Sequence, residues 1–152
     1  VTDSEKGRIW RIIYTGETGP APRQADGLRT AHSPPVTAPE LAGAGTLGGR
    51  LYGQICSACH MPNGGGVPGM QPALAGSAVV SGDPVRLIDV ILRGPAAVLP
   101  PGREKFSSIM PPYGAAISDL EVASIINFLR QNFAPAGTAV TAEQVAARRA
   151  QP

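Results

Sequence analysis

Cys56, Cys59 and His60 stand in one run, Cys-Ser-Ala-Cys-His, and its two thiols are the only cysteines of the 152-residue chain. Three chemistries use that spacing. A dithiol redox centre opens a helix after a strand, where the helix N-terminus acidifies the first thiol. A structural zinc site takes four ligands, of which this cluster offers three at most. Attachment of haem uses all three residues: the thiols add across two vinyl groups, and the following histidine is delivered to the iron as an axial ligand. A plain disulfide would leave His60 without a part. The cysteines here close a helical pattern with no βαβ unit around them, and the second histidine, His32, lies in a Pro-rich stretch. Haem attachment accounts for the whole motif.

That reading requires a donor for the opposite face of the iron, and the sequence offers Met61, Met70, Met110, His32 and Lys105. Met61 adjoins His60 and cannot reach round the ring. Met70 follows His60 by ten residues, in a loop on the histidine side. Met110 follows it by fifty, in Ile-Met-Pro-Pro-Tyr-Gly, where Pro111 and Pro112 stiffen the backbone that presents the thioether. A methionine is otherwise adaptable core filling. Met110 is the strongest of these donors, with His32 and Lys105 left open.

A scaffold of few helices and much loop must carry them. The chain has 19 glycines and 16 prolines, roughly twice the usual share, and 5% aromatic residues, so a bulky non-protein group would complete a small core. A formal charge of +2 with interspersed signs excludes a nucleic-acid-binding stripe. No apolar run approaches the ~20 residues of a membrane span. The sequence begins at Val1 without a basic–apolar–small leader, as expected of a processed or excised form.

Residues 1–16 read as a turn and then a strand, and residues 17–43 as a Pro/Ala/Gly-rich linker. Leu47, Leu51, Ile55 and Ala58 predict one face of a first helix, weak in propensity because of its glycines. Asp83-Pro84 opens and Gly94-Pro95 stops a second helix. Ser118 and Glu121 form a capping box opening a third, with Leu120, Ile125, Phe128 and Leu129 expected on its buried side. Thr141 with Gln144 caps a short helix in a C-terminal tail, residues 137–152, while 61–82 and 95–117 read as loop. The expected fold class is all-α, with the central domain over 44–136 and an extended N-terminal segment.

Residues 45–135, with CSACH and Met110, resemble a class I c-type cytochrome domain: three core helices around one covalently attached haem c, with long Pro/Gly loops. Gly48 and Tyr52 stand where such domains carry a glycine and an aromatic, with Ile125 and Phe128 in the matching place on the final helix. The resemblance implies that the carbonyl of Pro72 accepts the N–H of His60 and that Leu74 packs on the ring. It implies iron ligation by His60 and Met110 and thioether bonds at Cys56 and Cys59. More narrowly, LYGQICSACHMPNGGGVPGMQPALAGS and VTAEQVAARR are similar to cytochrome domains attached to bacterial membrane-linked dehydrogenases of alcohols and sugars. GRIWRIIYTG resembles the closing strand of the β-propeller in PQQ-dependent sugar dehydrogenases, an order of propeller, linker and cytochrome found in quinohaemoproteins.

The function so implied is periplasmic single-electron transfer, not enzymatic turnover. Electrons would come from a PQQ-dependent sugar or alcohol dehydrogenase and pass to a respiratory-chain acceptor. Both partners would be redox proteins, meeting a monomeric domain at its uncharged cysteine loop and the segment around Met110. Arg93, Arg103 and Lys105 are available for the haem propionates. The alternative is a haem-based small-molecule sensor or peroxidase-like enzyme with a labile sixth ligand.

Overall fold

A computed structural model describes residues 2–3, 8–9, 41–135 and 137–151. The chain divides into two units, 1–36 and 37–152. In the first, β1 (Thr2–Asp3) pairs antiparallel with β2 (Arg8–Ile9), Thr2 facing Ile9 and Asp3 facing Arg8. The rest of the expected strand, linker residues 17–40 and His32 lie outside the described residues.

The second unit is helical. The Thr46 hydroxyl accepts from Gly49 N–H and caps α1 (Leu47–Leu51), which runs through a π turn (Tyr52–Cys56) into α2 (Ser57–His60). Two single turns, α3 (Ala78–Ser81) and α5 (Pro95–Val98), fall inside stretches expected as loop. Four residues are too few to show a period in the sequence. Between them α4 (Pro84–Arg93) is capped by Asp83 and stops at Gly94, whose φ of 81° favours glycine. The capping box of Ser118 and Glu121 opens α6 (Asp119–Phe133), and a second box, Thr141 with Gln144, opens α7 (Ala142–Arg149). Each such cap contributes about 1 kcal/mol.

Packing follows from a missing side chain. A Cβ on Gly48 would stand 2.1 Å from Ser124 O and 2.9 Å from Phe128 Cβ, so α1 and α6 cross with their backbones touching. Tyr52, Phe128 and Phe133 fill the flank, with ring centroids 5.3, 5.6 and 6.5 Å apart. Such pairs add about 1 kcal/mol each beyond their burial. The innermost side chains are Val80, Ile88, Val122, Ile125, Ile126 and Val145, so α3, α4, α6 and α7 share one core.

Two expectations of burial are corrected. Leu120 is 59% exposed; it lies in the first turn of α6, one turn before the crossing at Ser124, where Val122, Ala123 and Ile126 take the buried side instead. Ala58 is also exposed. The π turn inserts a residue and rotates the helix face by about 100°, so His60 rather than Ala58 closes the buried stripe.

Candidate functional site

The π turn aims the motif. His60 ends α2 with only 8% of its surface exposed, while Cys56 is half-buried and Cys59 exposed. The next residue, Met61, has φ 63°, the one non-glycine positive φ among the described residues. That strain, of order 1–3 kcal/mol, is held by the Tyr52 hydroxyl, which donates to Met61 O at 2.5 Å. Tyr52 thus links the aromatic cluster of the helix crossing to the end of the motif.

Both thiols are free. Burial first, and the neighbouring Cys59 second, pushes the Cys56 thiol up to about 11. A dithiol redox centre needs the opposite shift. Among the described residues, no three His, Cys, Asp or Glu side chains converge as ligands, which a structural zinc site would need.

His60 is oriented by the loop that follows it. Gly66 N–H donates to His60 O at 3.0 Å, Gly64 O accepts from Leu74 N–H at 2.7 Å, and Val67 bridges Gln71. The loop returns so tightly that a Cβ on Gly66 (φ 61°) would stand 2.5 Å from Gln71 O and 2.6 Å from Pro72 O. Pro72 O thereby lies 2.9 Å from His60 Nδ1. A carbonyl only accepts, so Nδ1 carries the proton and Nε2 the lone pair. Leu74 is half-buried against the core.

Met110 is brought to the same region from the far side of the sequence. Ser107 and Ser108 N–H donate to Gly69 O and Met70 O at 3.0 and 3.1 Å, and Gln71 Nε2 donates to Ser108 Oγ at 2.9 Å. Beyond Met110, Tyr113 and Gly114 N–H donate to Ile91 O and Leu92 O at the end of α4, at 2.9 and 3.0 Å. Met110 is half-buried against the core. The Tyr113 phenol is raised chiefly by burial and further by the Cys56 and Cys59 thiols.

Of the other residues considered, Met70 is 48% exposed and Lys105 is exposed. Arg93 is not available for a propionate, because its guanidinium is spent on Asp89, Arg148 O and Gln151 O. Sequence reasoning overlooked Gly66, the Tyr52 hydroxyl and Tyr113. The run Gly64-Gly65-Gly66 carried the signal for the first; nothing local marks the other two.

The donor set fits a covalently held haem: two free thiols three positions apart, an imidazole with one nitrogen engaged and the other lone pair free, and a thioether on a braced loop. Comparison with known proteins agrees. The cytochrome c family model matches residues 45–133. The cytochrome c subunit of a quinone alcohol dehydrogenase from Gluconacetobacter polyoxogenes is 38% identical over 104 residues, 65% of this chain and 22% of that protein. The cytochrome c subunit of a gluconate 2-dehydrogenase from Pantoea cypripedii is 33% identical over 106 residues, 67% of this chain and 24% of that protein. Cytochrome c-552 of Thermus thermophilus is 33% identical over 93 residues, 59% of this chain and 62% of that protein. The chain therefore spans about a fifth of the dehydrogenase subunits it matches.

Proposed function

This chain belongs to the cytochrome c family, an electron-transfer protein with covalent haem c, and from that premise we propose that Cys56 and Cys59 attach the group while His60 and Met110 ligate its iron. The observation that carries the assignment is the 2.9 Å contact of His60 Nδ1 with Pro72 O, which leaves Nε2 as the donor. When bound, haem c supplies a one-electron iron couple whose potential a methionine ligand raises. The chain contributes rigidity. Pro72 O fixes the imidazole, and the bonds of Ser107, Ser108, Tyr113 and Gly114 hold the backbone on both sides of Met110. Side chains held in place before and after electron transfer keep reorganisation small. Leu74 and Ile55, both packed against the core, keep the surroundings apolar.

We place this electron transfer in the bacterial periplasm, with a PQQ-dependent sugar or alcohol dehydrogenase as donor and a respiratory-chain protein as acceptor. Support comes from the family, from the names of the dehydrogenase subunits it resembles, and from the attachment motif. Among the described residues no helix is long and apolar enough to cross a membrane. Ile109, 89% exposed beside Met110, and Met70, joined to it through Ser108, offer an uncharged surface for transient docking.

Absorption spectra and carbon monoxide uptake of the reduced protein test the ligand set. The wild type is expected to be low-spin, with a weak far-red ferric band and no carbon monoxide uptake. Met110→Ala should lose the band and take up carbon monoxide. A high-spin wild type that binds carbon monoxide readily would overturn the assignment in favour of a sensor or peroxidase-like enzyme.

A further inference from the structure

The C-terminal helix grips the loop that presents Met110. Two consecutive arginines of α7 act on different elements. Arg148 Nε and Nη2 donate to the two carboxylate oxygens of Asp89 at 3.1 and 2.5 Å, fastening α7 to α4. Arg93, one turn on from Asp89, donates to that carboxylate and returns to Arg148 O at 2.9 Å and Gln151 O at 2.5 Å. With α7 so anchored, Arg149 turns to the segment between Met110 and α6. Its Nη1 donates to Gly114 O, its Nη2 to Ile117 O at 2.9 Å, and its Nε to Asp119 Oδ1 at 2.7 Å. One guanidinium therefore spans residues 114–119, using all three nitrogens.

The opposite side of that segment is already tied, since Tyr113 and Gly114 N–H donate to the last carbonyls of α4. Gly94, which ends α4, approaches the same loop closely: a Cβ there would be 3.4 Å from Met110 O. Arg149 closes the outer side. A rigid planar fork suits this better than a lysine, whose single ammonium cannot reach three separated acceptors.

We propose that Arg149 is a positioning residue for Met110: through Gly114, Ile117 and Asp119 it locks the loop in the conformation that presents the thioether. This rests on the reading of Met110 as iron ligand. An unlocked loop spends more time with the thioether withdrawn, so ligand exchange at the iron quickens without a change of ligand.

The test compares carbon monoxide uptake by the reduced holoprotein, the far-red ferric band and thermal unfolding across variants. Arg149→Gln should raise the uptake rate at least about tenfold and weaken the band, because three charge-assisted bonds are lost. Arg149→Lys should restore it only in part. Arg86→Gln, an exposed arginine of α4, controls for the lost charge and should change nothing. Arg148→Gln loosens α7 without touching the loop and should unfold earlier with a smaller rise in uptake than Arg149→Gln. Unchanged uptake in Arg149→Gln, or an equal rise in Arg148→Gln, overturns the proposal. If Arg149→Gln does not mature, Asp119→Asn removes one of the three bonds and must still raise uptake; no rise there overturns it equally. If Met110→Ala itself takes up carbon monoxide no faster than wild type, the ligand assignment fails instead.

Discussion

His60 Nδ1 and Pro72 O lie 2.9 Å apart because Gly66 has no side chain to separate them. Gly66 N–H holds the carbonyl of His60, while the space a Cβ would occupy is filled by Gln71 O and Pro72 O. Backbone economy at one residue thus fixes which imidazole nitrogen keeps its lone pair, the one proposed above as iron ligand.

Gly66→Ala should therefore do two things. A side chain at φ 61° with backbone oxygens 2.5 and 2.6 Å away cannot be accommodated without moving the 71–72 segment. We expect a loss of about 2–3 kcal/mol in denaturant unfolding, together with a changed reduction potential as the His60 contact loosens. Pro72→Ala keeps the carbonyl and should leave the potential close to wild type.

Gly48→Ala probes the helix crossing. The added methyl would meet the Ser124 carbonyl at 2.1 Å, a backbone atom that cannot rotate away. Forcing α1 from α6 should cost ~3 kcal/mol, read as a lower melting temperature. An equally small addition at Gly53, where nothing lies within 4 Å, should not destabilise through a clash.

Tyr52 gives the protein an alkaline limit. Burial chiefly pushes its phenol up to about 12 from an ordinary 10, the smaller contribution of the Cys56 thiol belonging to the chain before haem attachment. Between those values the unfolded chain has lost a proton that the folded chain keeps, so stability is full below pH 10 and falls as pH rises through 12. Tyr52→Phe should lack that part of the decline. It should also lose about 1 kcal/mol at neutral pH, with the bond to Met61 O. Denaturant midpoints measured across the alkaline range separate the two effects.

Covalent attachment is checked by intact mass. The matured protein should exceed the 15.6 kDa chain by one haem that survives denaturation. Cys56→Ser or Cys59→Ser should leave a single thioether, and the double substitution should release the group under denaturing conditions.

What was legible in the sequence was what neighbours within a turn decide. The capping boxes at Ser118 and Thr141, the Asp83-Pro84 start and the Gly94 stop all appear where their spacing places them. The haem c expectation was legible as well, since Cys56 and Cys59 stand three positions apart in one short motif, inside the residues that the cytochrome c family model matches. Only the tertiary structure decided the rest. The π turn that rotates Ala58 outward and His60 inward answers to packing across the helix crossing, and Leu120 is exposed because its turn precedes that crossing. The meeting of Ser108 with Gln71, and of Arg149 with Gly114, joins residues 37 and 35 positions apart. Contacts at such separations are set by how the whole chain closes on itself, and no local pattern of residue types encodes them.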